Sequence, residues 1–147
     1  MDYLVAVDGS EEAKNALAYA TDVADAMDGS ITVVHAVDPA VYEEGASEPI
    51  SGLADAEGRL VIESVDDAEE RALAILEDAE RVTQELGATV ETELLYGQPV
   101  SAITDYAEGF DAIFVGHRGR SERTDLLVGS VAKSIVERAT VPVTVVR

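Results

Sequence analysis

Apolar runs of strand length alternate with segments of helical period along most of the chain, a pattern that predicts a parallel sheet whose strands are joined by crossover helices. Tyr3 to Val7 reads as the first strand. Ser10 is placed to cap the next element, with Glu11 and Glu12 in its first turn. Ala13, Ala16, Leu17, Ala20, Val23, Ala24 and Met27 then draw one apolar helical face that stops at Asp28-Gly29. Ile31 to Val37 is nearly all apolar and β-branched, the composition of a central strand buried on both faces.

Asp38 to Arg59 has no period and holds Pro39, Pro49, Gly45, Gly52 and Gly58, so a long loop is expected there, either functional or mobile. A second helical stripe follows through Val61, Val65, Ala68, Ala72, Leu76, Ala79, Val82 and Leu86, ending at Gly87. In Thr89 to Tyr96, Val90, Thr92 and Leu94 alternate with Thr89, Glu91 and Glu93; one wet side places this strand at the sheet edge. Gly97-Gln98-Pro99 turns into a short helix expected to carry Val100, Ile103 and Tyr106 inward before Gly109. Asp111 to Val115 is another buried strand. Val131, Ala132, Ile135, Val136 and Ala139 form the last helical stripe, and Pro142 to Val146 the last strand. The expectation is one α/β domain over residues 1–147, a single doubly wound five-stranded parallel sheet with four helices.

With 147 residues the chain can bury a core without staples, and it has no cysteine, which excludes disulfides, thiolate metal sites and cysteine nucleophiles. No stretch reaches the ~20 apolar residues of a membrane span, and Met1 to Asp8 reads as a strand rather than a secretory leader, so a cytoplasmic protein is expected. Thirty acidic against ten basic residues give a net charge of −20. Such self-repulsion suits a salt-loaded cytoplasm, where molar salt shortens the Debye length to ~3 Å, and so points to a halophilic source; an ordinary acidic protein is the other reading. Either way the average surface would repel DNA and anionic membranes, so no nucleic-acid or membrane partner is expected.

The charge is uneven. From Gly116 onward Arg118, Arg120, Arg123, Lys133, Arg138 and Arg147 outnumber Glu122, Asp125 and Glu137, reversing the sign of the rest of the chain. An anion would be welcome there, although pairing on solvated helix faces would explain the same residues. Gly116 stands at the end of an apolar strand, the carboxyl edge at which open α/β sheets bind ligands. Gly116-His117-Arg118-Gly119 is followed, nine residues later, by Gly129-Ser130 at the start of a helix. Glycine lets backbone amides approach an anion, Ser130 adds a hydroxyl, and a helix N-terminus offers unpaired N–H groups and the positive end of its dipole. The segment is neither a Walker A loop nor a dinucleotide fingerprint.

Over essentially its whole length the chain resembles the universal stress protein family. The resemblance rests on the order of elements and on the signature G-x-x-G, nine residues, then G with Ser or Thr, met here as Gly116, Gly119, Gly129 and Ser130. It implies a Rossmann-like sheet of the adenine nucleotide alpha hydrolase-like kind with strand order 3-2-1-4-5. It also implies the ATP-binding type, with ATP, AMP or a related adenine nucleotide as ligand and Mg²⁺ held through the phosphates. On the matching positions, Asp8 would lie beside adenine and ribose, the backbone of Ala6 and Ala36 would border the base, and Val115 would line the same slot. Gly116, Arg118, Gly119, Gly129, Ser130 and Val131 would surround ribose and phosphates. Arg118 stands where many ATP-binding relatives have histidine, and His117 where they often have a small residue.

Other roles stay open for several residues. Asp8 would equally cap the following helix. His35, in an apolar strand, reads as a satisfied interior histidine rather than a ligand. His117 reads either as a phosphate donor or as a structural residue, and two distant histidines do not make a metal site. The sequence shows no positioned general base and no kinase-like motif. Three functions fit these residues: a nucleotide-dependent regulator with at most slow hydrolysis, in which binding orders the Gly119 to Gly129 loop; a dimeric structural or interaction module that does not use nucleotide; and a small-molecule enzyme such as a hydrolase. The resemblance implies a homodimer paired through Val143 to Val146.

Overall fold

The computed structural model describes residues 1–39, 53–117 and 128–147, with side chains described from residue 66 onward in the second helix. Its elements are β1 (Asp2–Ala6), α1 (Glu11–Met27), β2 (Ser30–Val37), α2 (Leu53–Glu85), β3 (Glu91–Tyr96), α3 (Pro99–Tyr106), β4 (Ala112–Gly116), α4 (Ser130–Arg138) and β5 (Val143–Val146). A short 3₁₀ turn, Ala107–Gly109, continues α3. The five strands form one sheet in the order β3-β2-β1-β4-β5, and every neighbouring pair is parallel. The chain winds outward from β1 through β2 to β3, then crosses to β4 and β5 on the other side. The switch point lies between β1 and β4, where such sheets leave a crevice at their carboxyl ends.

Burial explains the unbroken apolar runs of the central strands. Tyr3, Val5 and Phe114 pack under α1 and α2 against Leu17, Ala20, Leu76 and Ala79. Leu4, Val34, Ile113 and Val115 pack on the other face under α3 and α4, against Val100, Ile103, Ala132 and Ile135. A strand covered on both faces has no position for a polar side chain, which is why β1 and β4 show no alternation. Buried polar residues on the helices satisfy themselves: Thr21 and Thr83 donate their hydroxyls to the carbonyls of Leu17 and Ala79, at 2.8 and 3.1 Å.

Helix α1 begins where Ser10 Oγ accepts the Ala13 amide at 3.1 Å. At its other end the left-handed residue is Asp28, at φ 53°, while the Gly29 amide donates to the Ala24 carbonyl at 2.8 Å. Gly29 serves a different need: a Cβ there would stand 2.8 Å from the Met1 carbonyl oxygen and 2.7 Å from the Tyr3 ring.

Several expectations are corrected. The second helix starts at Leu53 rather than after Arg59, so the expected loop is shorter; Leu53-Ala54-Asp55-Ala56-Glu57 is rich in helix formers, and the single Gly58 costs only about 1 kcal/mol in so long a helix. Residues 40–52 of that loop lie outside the described residues. Tyr106 is 37% exposed rather than inward, lying against Phe110 with ring centroids 5.5 Å apart. On α4, Val131 and Val136 are 47% and 51% exposed, because this nine-residue helix at the sheet's margin covers its neighbours with Ala132 and Ile135 alone. Met27 and Leu86, at helix ends, and Thr92, on the edge strand β3, are also exposed. Strand boundaries move by one or two residues.

Candidate functional site

A pocket of about 190 Å³ opens where the carboxyl ends of β1, β2 and β4 meet the start of α1 and the inner faces of α3 and α4. Ala6, Ala36, Val115 and Gly116 come from the strand ends. Asp8, Ser10 and Ala13 form the side toward α1, and Pro99, Ile103, Val131, Ala132 and Ile135 the side toward α3 and α4. The walls are largely apolar, with Asp8, Ser10 and His35 as the polar side chains, the usual make-up of a small-molecule site.

The turn that admits this pocket is built by three consecutive residues. Asp8 Oδ1 accepts the Ser10 amide at 2.9 Å, and Gly9 between them has φ 83°, a conformation that disfavours side chains. Capping of α1 falls to Ser10, so Asp8 shapes the turn and faces the pocket. Behind this turn Lys14 bridges to Asp78 of α2 at 3.7 Å, tying the two helices together. Arg81 also pairs with Asp78, and its hydrogen bond holds the carboxyl below the ordinary range.

At the pocket floor the β1–β2 ladder stops early. Its last register pair is Ala6 with Val34, and the Val7 amide still donates to the Val34 carbonyl at 2.9 Å. The Val7 carbonyl is taken by His35 Nδ1 at 2.6 Å. No backbone bond joins Val7 to Ala36, so the N–H and C=O of Ala36, which face the same edge as those of Val34, meet no β1 partner.

Gly116 closes the floor under α1. A Cβ on it would sit 2.7 Å from the Glu12 carbonyl carbon and 2.9 Å from the Ala13 nitrogen, so its missing side chain is what lets β4 end against the first turn of α1. Gly129 is the N-cap of α4, buried, with its amide donated to the His117 carbonyl at 2.7 Å. That amide is committed to the fold. The next residue, Ser130, begins the helix and is exposed, and the amides of Val131 and Ala132 after it have no acceptor within the helix. His117 also donates its amide to the Val146 carbonyl at 2.7 Å, linking the end of β5 to the start of α4. Its side chain is only 4% exposed, and its Nε2 is buried without a hydrogen-bond partner.

Of the residues singled out from sequence, Ala6, Asp8, Ala36, Val115, Gly116 and Val131 line one pocket. Gly129 and Ser130 stand at the start of the helix that supplies Val131 but are not in the lining. Arg118 and Gly119 lie outside the described residues, as does most of the expected phosphate loop. His35 has the backbone partner expected of an interior histidine, yet it is only half-buried and lines the pocket. Sequence reasoning missed Ser10, Ala13, Pro99, Ile103, Ala132 and Ile135 as lining residues. The i, i+4 spacings Pro99/Ile103 and Val131/Ile135 put each pair on one helical face, a signal that points to the same space. Among the described residues no group of three or more candidate ligands could hold a metal ion, and no helix is long and apolar enough to cross a membrane.

Comparison with known proteins agrees with this architecture. Universal stress protein YxiE of Bacillus subtilis is 30% identical over 146 residues, covering 98% of this chain and 97% of that protein. The solved structure of universal stress protein UspA from Lactobacillus plantarum superposes with a TM-score of 0.76 at 26% identity, covering 100% of this chain and 97% of the other. A solved universal stress protein in complex with cAMP shares the fold, with a TM-score of 0.71 at 24% identity over 100% of this chain and 97% of that one. The sequence matches the model of the universal stress protein family over residues 2–147, and the chain therefore belongs to that family.

Proposed function

We propose that the protein binds an adenine nucleotide in the pocket above β1, β2 and β4 and acts as a nucleotide-dependent regulator in the stress response. The observation that carries this reading is the backbone edge of Ala36, which meets no β1 partner, at the floor of an apolar slot. The outer edge of adenine offers an acceptor nitrogen beside a donor amino group, which complements one backbone N–H and one backbone C=O. Ala6 and Ala36 are small enough for a flat base to reach that edge, and Val115 and Ile103 offer apolar contact. Asp8 lies on the side where the ribose hydroxyls would fall. The first turn of α4, through the amides of Val131 and Ala132, turns the positive end of the helix dipole toward the place where phosphate would fall. Any Mg²⁺ would ride on the phosphates. The related protein solved with cAMP has the same fold, and the reading for this chain rests on its own residues.

Equilibrium dialysis in molar salt against ATP, AMP and cAMP tests the proposal, together with mass spectrometry of small molecules that co-purify. Saturable binding of at least one supports it; failure of all three, with no co-purifying nucleotide, removes it.

The interaction-module reading draws on β5. This strand ends the sheet, and all four of its residues, Val143 to Val146, are partly exposed. An edge of this kind suits pairing with a second copy about a two-fold axis, and regulation by nucleotide and dimerisation are compatible.

A further inference from the structure

We infer that His35 is a positioning residue: by donating from Nδ1 to the Val7 carbonyl, it keeps the Ala36 amide out of the sheet ladder and available to a ligand. The identity of that ligand rests on the adenine-nucleotide reading above, whereas the positioning role rests on the strand geometry alone.

In a parallel ladder a residue donates its N–H to one residue of the neighbouring strand and accepts from the residue two further on. Val34 is paired with Ala6, and its carbonyl receives the Val7 amide at 2.9 Å. Two residues later Ala36 faces the same edge, and the acceptor next in line for its N–H is the Val7 carbonyl. That bond is missing, and β1 ends at Ala6 although the chain still runs alongside β2 at Val7.

The oxygen has another donor. His35 Nδ1 lies 2.6 Å from it, and since a carbonyl only accepts, Nδ1 carries the proton. The imidazole thus satisfies an oxygen that would otherwise recruit the Ala36 amide. The second rung, from the Gly9 amide to the Ala36 carbonyl, is absent as well, because the turn at Gly9, φ 83°, leads the chain away into α1. Two separate devices therefore strip the β1-facing edge of Ala36: a turn removes the donor, and a histidine occupies the acceptor.

Removing the imidazole leaves the Val7 carbonyl seeking a donor, and the Ala36 amide is the one the register supplies. The ladder should extend by one rung and close the floor of the pocket. Asparagine makes the discriminating substitution, because its side-chain nitrogen is bonded to Cγ as Nδ1 is in histidine. His35→Asn can keep the donor to Val7 while losing Nε2; His35→Ala loses both.

The test is amide hydrogen exchange of the nucleotide-free protein in molar salt, read at Ala36 with Val34 as the laddered reference, followed by AMP titration of the same three proteins. In the wild type and His35→Asn, Ala36 should exchange about tenfold or more faster than Val34, and in His35→Ala it should slow about tenfold toward the Val34 rate. AMP affinity should fall about tenfold in His35→Ala and stay within about threefold of wild type in His35→Asn. An Ala36 amide as protected as Val34 in the wild type overturns the inference, as does an unchanged rate in His35→Ala. Equal loss of AMP affinity in both variants, with Ala36 still open in His35→Asn, also overturns it by making His35 a direct ligand. A wild type that shows the exchange pattern but binds no adenine nucleotide supports the positioning role and removes the nucleotide reading.

Discussion

Gly116 and Glu12 approach so closely that a Cβ on the glycine would lie 2.7 Å from the Glu12 carbonyl carbon. The glycine that opens the nucleotide signature is thus also the packing contact between the end of β4 and the first turn of α1. Gly116→Ala must push backbone against backbone, which cannot rotate away as a side chain can. It should destabilise the protein by about 2–3 kcal/mol, a fall in Tm of several degrees, before any ligand is added. A thermal melt without nucleotide checks this; an unchanged Tm would mean that the glycine is present for ligand access only.

His117 makes the opposite prediction. Its Nε2 is buried without a partner, a condition that costs about 1–3 kcal/mol in the ligand-free protein. His117→Leu removes the orphaned atom at similar volume and should raise the ligand-free Tm. If the nitrogen is kept for phosphate, the same variant should show a smaller rise in Tm on adding ATP. Differential scanning calorimetry with and without ATP reads both effects, and a ligand-free protein destabilised by the substitution would show that the imidazole has a structural use.

The Asp78 carboxyl, hydrogen-bonded to Arg81 and near Lys14, titrates below its ordinary value of about 4. A carboxylate depressed on folding contributes stability above its unfolded pKa and loses it as pH falls through the folded one. Because Asp78 is 39% exposed, the contribution is screened and should be no more than about 1 kcal/mol. Denaturant melts should show Asp78→Asn less stable than wild type near neutrality, with the gap closing below about pH 4 and narrowing in molar salt. A gap that widens on acidification would contradict the assignment.

Salt should matter to the whole chain. With a net charge of −20, self-repulsion opposes compaction until it is screened. Tm should rise steadily from low to molar KCl, and a flat dependence would remove the halophilic reading.

Recognition through the Ala36 edge also predicts a preference. Hypoxanthine carries a proton on N1 and an oxygen in place of the amino group, so inosine monophosphate should bind at least about tenfold more weakly than AMP. Competition binding measures the ratio; equal affinities would move recognition away from the base edge.

The sheet was legible because burial on both faces writes itself as unbroken apolar runs, as in Leu4-Val5 and Ile113-Phe114-Val115. The start of α2 was not, because Leu53 to Gly58 has helix propensity without an apolar stripe. Asp28-Gly29 reads as a helix end, yet the left-handed residue is Asp28 and the glycine answers to Tyr3 and Met1. Much of the pocket was visible as strand-end residues plus Asp8 and Val131. The role of His35 was not, because it depends on which carbonyl lies across the sheet from its ring, a relation between residues 28 positions apart that no local pattern carries. Nor does a glycine signature reveal that the Gly129 amide is already donated to His117.

Whether the slot floored by Ala36 holds an adenine base is decided by calorimetric titration of AMP into the wild type and Ala36→Phe in molar salt. Saturable binding at one site per chain is expected in the wild type and none in the variant, with both proteins melting cooperatively. Undiminished binding by Ala36→Phe, or no heat from the wild type with either AMP or ATP, would contradict adenine binding there.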